Sequence, residues 1–137
     1  MYISGALFCF SHRRSLYKSM FRIYAVQIMT PDEFREIALG FPEAEERSHM
    51  NHPDFRVGGK IFATLNPDLT QGMAKLTPAD QQEFLRIDPD SFKPASGAWG
   101  TGGATMISLI NADEADVRRA LAAAWRNVAP KNIGDAH

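Results

Sequence analysis

From Met29 onward the apolar residues follow two different periods, and the changes of period divide the chain into elements. Phe34, Ile37, Ala38 and Phe41 recur at i, i+3, i+4 and i+7, the single apolar stripe of a helix that packs on one side. Thr30-Pro31-Asp32-Glu33 places a capping box and an N-terminal proline ahead of that stripe, and Gly40 and Pro42 close it, predicting a helix at about 31–39. Thr77-Pro78-Ala79-Asp80 repeats the device. A second helix is expected to run to about Ile87, with Phe84 and Leu85 or Ile87 inward, until Asp88-Pro89-Asp90 stops it. Val117, Leu121, Trp125 and Val128 form the stripe of a third helix. Asn111 is read as its cap, with Asp113, Glu114 and Asp116 in the first turn, Arg126 near the end and Pro130 beyond it, a charge order that complements the helix dipole.

Between these helices the residue types are those of strands. His52 to Leu65 reads as two short strands joined by Gly58-Gly59, which supply the positive φ that tight hairpin turns require. Two registers are open. A two-residue loop pairs Val57 with Lys60 and groups Phe55, Val57, Lys60 and Phe62 on one face, with Arg56, Ile61, Ala63 and Leu65 on the other. A three-residue loop pairs Val57 with Ile61, gathers Phe55, Val57, Ile61, Ala63 and Leu65, and turns Arg56, Lys60, Phe62 and Thr64 outward. The second segregates the apolar side chains more cleanly and is the expected one.

The remaining extended segments are weaker. Glu43 to Met50 reads as an edge strand or extended stretch, Gly72 to Leu76 as a strand after the Asn66-Pro67-Asp68 turn, Ser91 to Ala98 as extended, and Thr105 to Ile110 as the last strand. Gly97, Gly100, Gly102 and Gly103 bracket Trp99 in what reads as a flexible loop. The order implies a two-layer α+β domain: one antiparallel sheet of about five strands, with three helices mainly on one face and the other face wholly or partly exposed.

Composition narrows this picture modestly. A chain of 137 residues is long enough for one domain with its own core. Cys9 is the single cysteine, so there is no disulfide framework or thiolate metal cluster, which suits a cytoplasmic setting. No apolar run approaches the roughly 20 residues of a membrane-spanning helix. Residues 1–28 carry Arg13, Arg14, Lys18 and Arg22 and no acid, which leaves a net charge of −5 on residues 29–137. That is not the signature of strong nonspecific nucleic-acid binding, so any such activity needs a local basic patch. The first 28 residues read as an N-terminal extension outside the fold, with Met29 as the natural start; an organellar transit segment and a membrane-surface helix are the alternatives. The domain is expected over 29–131, with 132–137 as a tail.

The candidate chemistry is sparse. His49, His52 and Asp54 bring two histidines and one carboxylate close together, but a metal centre takes three or four ligands held by surrounding groups and the other histidines, His12 and His137, lie in the tails, so no metal is expected. Ser48 and His49 are strand neighbours and point to opposite faces, and no nucleophile elbow occurs, so no catalytic residue is assigned. The Gly97–Gly103 run lacks the Gly-Lys-Ser/Thr ending of a phosphate loop and precedes a strand, so no cofactor is implied. The open sheet face is more informative. With Arg56, Lys60 and Phe62, and with Met73 and Lys75 from the next strand, it offers cations for phosphates and a π-face for a base, and Trp99 lies in a loop able to join them. The competing reading is that the lysines are solvated strand residues that discourage edge pairing.

Thr30-Pro31-Asp32-Glu33-Phe34, His52 to Leu65, Lys75-Leu76-Thr77-Pro78, Trp99-Gly100, Ala124-Trp125-Arg126 and Ala129-Pro130-Lys131 together resemble the MmcQ/YjbR family of small bacterial proteins, over about Met29 to Lys131. Ala104 departs from the resemblance, since relatives often carry tryptophan before the last strand. The resemblance implies an α+β fold like the double-wing and secretion-chaperone domains, and a non-enzymatic DNA-binding or regulatory role. Arg56, Lys60 and Lys75 occupy the positions best suited to a binding face, with Phe62 and Trp99 nearby. The alternative is a chaperone-like module that binds a protein partner on the same face or along a strand edge.

Overall fold

A computed structural model describes residues 29–134, so the N-terminal extension expected over 1–28 and the last three residues lie outside the described residues. The elements run α1 (Pro31–Leu39), β1 (Glu45–His49), β2 (His52–Val57), β3 (Lys60–Leu65), β4 (Gln71–Lys75), α2 (Pro78–Ile87), β5 (Phe92–Pro94), α3 (Gly97–Thr101), β6 (Ala104–Ser108), α4 (Glu114–Val128) and α5 (Lys131–Gly134). The strands form one antiparallel sheet in the order β1-β2-β3-β4-β6-β5. The α+β class is as expected, with six strands in place of about five because the polar segment Glu45–His49 pairs along its whole length with β2. No helix among the described residues is long and apolar enough to cross a membrane.

The helix starts follow the local chemistry. Thr30 N–H donates to Glu33 Oε1 at 2.8 Å and Glu33 N–H to Thr30 Oγ1 at 3.1 Å, closing the capping box. Thr77 Oγ1 accepts from Asp80 N–H at 3.1 Å. The long helix α4 starts later than expected, at Glu114, with Asp113 and not Asn111 at its N-cap position.

The hairpin register corrects the expectation. Val57 pairs with Lys60 across a two-residue turn, and Gly58 and Gly59 both hold positive φ (59° and 80°). Arg56 then pairs with Ile61 but Phe55 with Ala63, so Phe62 is an extra residue, a β-bulge. The bulge shifts the alternation by one. Phe55, Val57, Phe62, Ala63 and Leu65 are all fully buried. Near the turn the hairpin follows one register and beyond the bulge the other, and that combination buries every large apolar side chain of the pair except Ile61.

Helix α4 lies across β3 and β4, α1 packs on α4, and α2 covers β5 and β6. The core between them joins Phe34, Phe55, Phe62, Leu65, Leu76, Ile107, Leu121 and Trp125. Phe34 meets Phe55 at 6.0 Å between centroids. Phe41 bridges Phe62 (6.2 Å, edge-on) and Trp125 (6.3 Å, stacked), and Trp125 Nε1–H donates to Pro42 O at 3.0 Å. Burial of each of these side chains stabilises the fold by about 1.5–3 kcal/mol. Gly72 makes room for the pairing of α1 with the sheet, since a Cβ there would lie 2.6 Å from the Phe34 ring.

Candidate functional site

Strand alternation sends the other set of side chains to the opposite face, and a groove of about 940 Å³ lies along it. The cross-strand pairs Asp54↔Thr64, Thr64↔Met73, Met73↔Met106 and Lys75↔Ala104 trace this face from β2 to β6. Ile61, Thr64, Met73, Ala104 and Met106 line it, His52, Asp54 and Arg56 lie on one side, and Ala98, Trp99 and Gly102 of α3 on the other. Asn127 and Val128, at the end of α4, lie at the strand ends beside Gly59, Lys60 and Lys75. Asn127 donates to Lys75 O at 2.9 Å, which ties the end of β4 to α4.

The expected site residues separate in this arrangement. Arg56, Lys60, Lys75 and Trp99 all line the groove. Phe62 does not: the bulge turns it into the core, where it is fully buried against Phe41, so it offers no ring to a ligand. The register pairs Lys60 with Val57, on the strand phase opposite to Arg56, but Lys60 is the first residue after the turn and is exposed.

Arg56 is not a free cation. Its Nε and Nη2 donate to the two carboxylate oxygens of Asp54 at 2.8 and 3.1 Å. The Asp54 side chain is 1% exposed and that of Arg56 22%. Hydrogen bonding to Asp54 is the main cause that holds the guanidinium above its ordinary range; burial opposes it, and the charges of Asp54 and Glu45 add to it. The pair is therefore charged but locally neutral, which leaves Lys60 and Lys75 as the groove's uncompensated lysines. The described residues include 15 acids, and of these only Asp54 lines the groove. The groove is thus electropositive on an acidic domain.

Trp99 sits on a short helix and not in the flexible loop expected. A Cβ at Gly100 would lie 1.8 Å from Ala95 O, and one at Gly103 (φ 116°) 2.1 Å from Leu76 O, so the backbone is packed tightly on both sides of the helical turn. The buried amide of Gln81, on α2, donates to Gly100 O at 3.0 Å and Ala104 O at 3.1 Å. Trp99 itself is 71% exposed. The expected binding residue is thus presented on a rigid support.

Three contributors were not singled out in the sequence. From the sequence Asp54 reads as a weak metal-ligand or catalytic candidate, and Ile61 as a core residue. Met106 was passed over within an apolar run, although alternation with Thr105 and Ile107 places it on the open face. Among the described residues no group of three or more His, Cys, Asp or Glu side chains is arranged to hold a metal ion.

An open antiparallel sheet covered by helices on one face, with the ligand-sized groove on the other, defines the class of domain. The YjbR family model matches residues 39–127, and the chain belongs to that family. The fold is similar to the crystal structure of Deinococcus radiodurans protein DR2400, which carries a domain of the DUF419 family model, with a TM-score of 0.65 and 18% identity over 80% of this chain and 85% of that one. No curated protein sequence matches the chain.

Proposed function

We propose that this protein binds DNA through the open sheet face, as a non-enzymatic cytoplasmic regulatory protein, with Lys60 and Lys75 taking phosphates and Trp99 contributing an aromatic surface. The observation that carries this reading is the electropositive groove on an otherwise acidic domain, with an exposed tryptophan on its wall. Local positive charge selects an anionic ligand, and the net negative charge elsewhere limits nonspecific affinity. Arg56, already paired with Asp54, contributes as a hydrogen-bonding group more than as a phosphate clamp.

The test is fluorescence anisotropy of labelled DNA across a salt series. Lys60→Ala/Lys75→Ala should weaken binding and reduce the slope of log K against log salt by about 1.5–2, one phosphate contact for each lysine. DNA that fails to bind at low salt, or a double variant with an unaltered slope, would reject the reading.

A second reading, binding of a protein segment, is favoured by the apolar floor of Ile61, Met73 and Met106, because methionine-lined surfaces accommodate varied apolar side chains. Salt-independent capture of an apolar peptide that the double lysine variant retains would favour it.

A further inference from the structure

We infer that the strand this groove accepts is single-stranded, with an unpaired base stacked on Trp99 and its neighbouring phosphates on Lys60 and Lys75; this rests on the nucleic-acid reading above. The argument comes from where charge and apolar surface lie. The groove that the two lysines and Trp99 share is also lined by Met73 and Met106, which pair across β4 and β6, and by Ala104 opposite Lys75. A duplex keeps its base faces inside the stack and presents phosphates outward. Laid on this face it would press anionic oxygens onto thioether and methyl groups, a desolvation without compensation, and it would leave Trp99 without a partner. A single strand divides differently: its bases are free to meet an aromatic ring and its backbone follows the cations.

Two further features favour this division. Asp54 neutralises Arg56 on the β2 side of the groove, which leaves the Lys60–Lys75 side with the unpaired positive charge for the backbone. The support of Trp99 is fixed before any ligand arrives, by the Gln81 amide and by backbone packed too closely to admit a Cβ at Gly100. A preformed platform spares the ordering cost that a flexible loop would incur on binding.

The test titrates the full chain with labelled oligothymidylate, oligouridylate and a mixed-sequence duplex of equal length, following anisotropy and tryptophan quenching. Trp125 is 4% exposed and acts as the unquenched internal reference. Either single strand binding at least about tenfold more tightly than the duplex supports the inference. Trp99→Ala should weaken the single strand by about 5- to 100-fold and abolish most of the quenching, whereas Trp99→Phe should retain most of the affinity. Duplex binding equal to or tighter than both single strands, or Trp99→Ala without effect, overturns the inference and leaves the DNA reading standing. Failure of all three probes to bind overturns both.

Discussion

The two faces of the sheet are built from alternate residues of the same strands, and they obey different constraints. On the covered face Phe55, Val57, Ala63, Leu65, Ala74 and Ile107 are fully buried under α1, α2 and α4. On the open face the same strands present Asp54, Arg56, Thr64, Met73, Lys75 and Met106. The first set is determined by the gain from removing apolar surface from water. The second is only flanked by α3 and the end of α4, and so it retains a paired ion, a free cation and polarisable side chains. The β-bulge keeps the faces apart: without the extra residue at Phe62, either that ring or Ala63 and Leu65 would lie in the groove.

The most severe test of this contrast is Phe62→Ala. If the ring belongs to the core, the substitution should cost about 3–5 kcal/mol in denaturant unfolding; a cost under about 1 kcal/mol would return Phe62 to the open face. Gly100→Ala comes next. Its Cβ meets backbone and not a movable side-chain end, so a loss of about 1–3 kcal/mol is expected, together with weaker base stacking as the Trp99 support shifts. Asp54→Asn sharpens the electrostatic side of the comparison. Releasing the Arg56 charge should tighten oligonucleotide binding by about three- to tenfold at low salt and steepen the salt dependence by about one contact; unaltered affinity would show that Arg56 does not face the ligand. Trp99→Ala, on an exposed side chain, should change stability by no more than about 0.5 kcal/mol, which separates a binding role from a packing role.

The smallest effect is expected away from both faces. Arg86 forms a hydrogen bond with Glu83 along α2 and is the main cause that holds the Glu83 carboxyl below its ordinary value of 4.5. A carboxylate whose folded pKa is depressed adds stability above the unfolded value and loses it as pH falls through the folded one. Glu83→Gln should therefore lower Tm slightly at pH 7, and the difference from the parent protein should vanish as pH falls below that window. A difference that persists in acid would assign the effect to packing.

Much of the architecture was legible because its signals are local. Thr30 and Thr77 begin helices through hydrogen bonds that reach three residues ahead, and the Val117, Leu121, Trp125 stripe needs only the helical period. The site was less legible because it depends on partners distant in sequence. Lys75 and Trp99 could be suspected from the residues alone, but their meeting in one groove depends on β4 pairing with β6. The support of Trp99 was misread as a flexible loop because its glycines suggest freedom. At Gly100 and Gly103 glycine answers a lack of space set by the Ala95 and Leu76 carbonyls, and an amide from 19 residues earlier in the chain holds Gly100 O.

By itself, then, the sequence determined most element types, the starts of α1 and α2 and the class of fold, which follow from periodicity and short-range hydrogen bonding, while the family rests on the resemblance of its motifs. The tertiary structure decided the faces. Whether Phe62 or Ile61 points to the helices is a matter of one residue of register. A two-residue turn and a single bulge resolve it together, because that combination buries Phe62 against Phe41 together with Ala63 and Leu65 while Arg56 faces the groove.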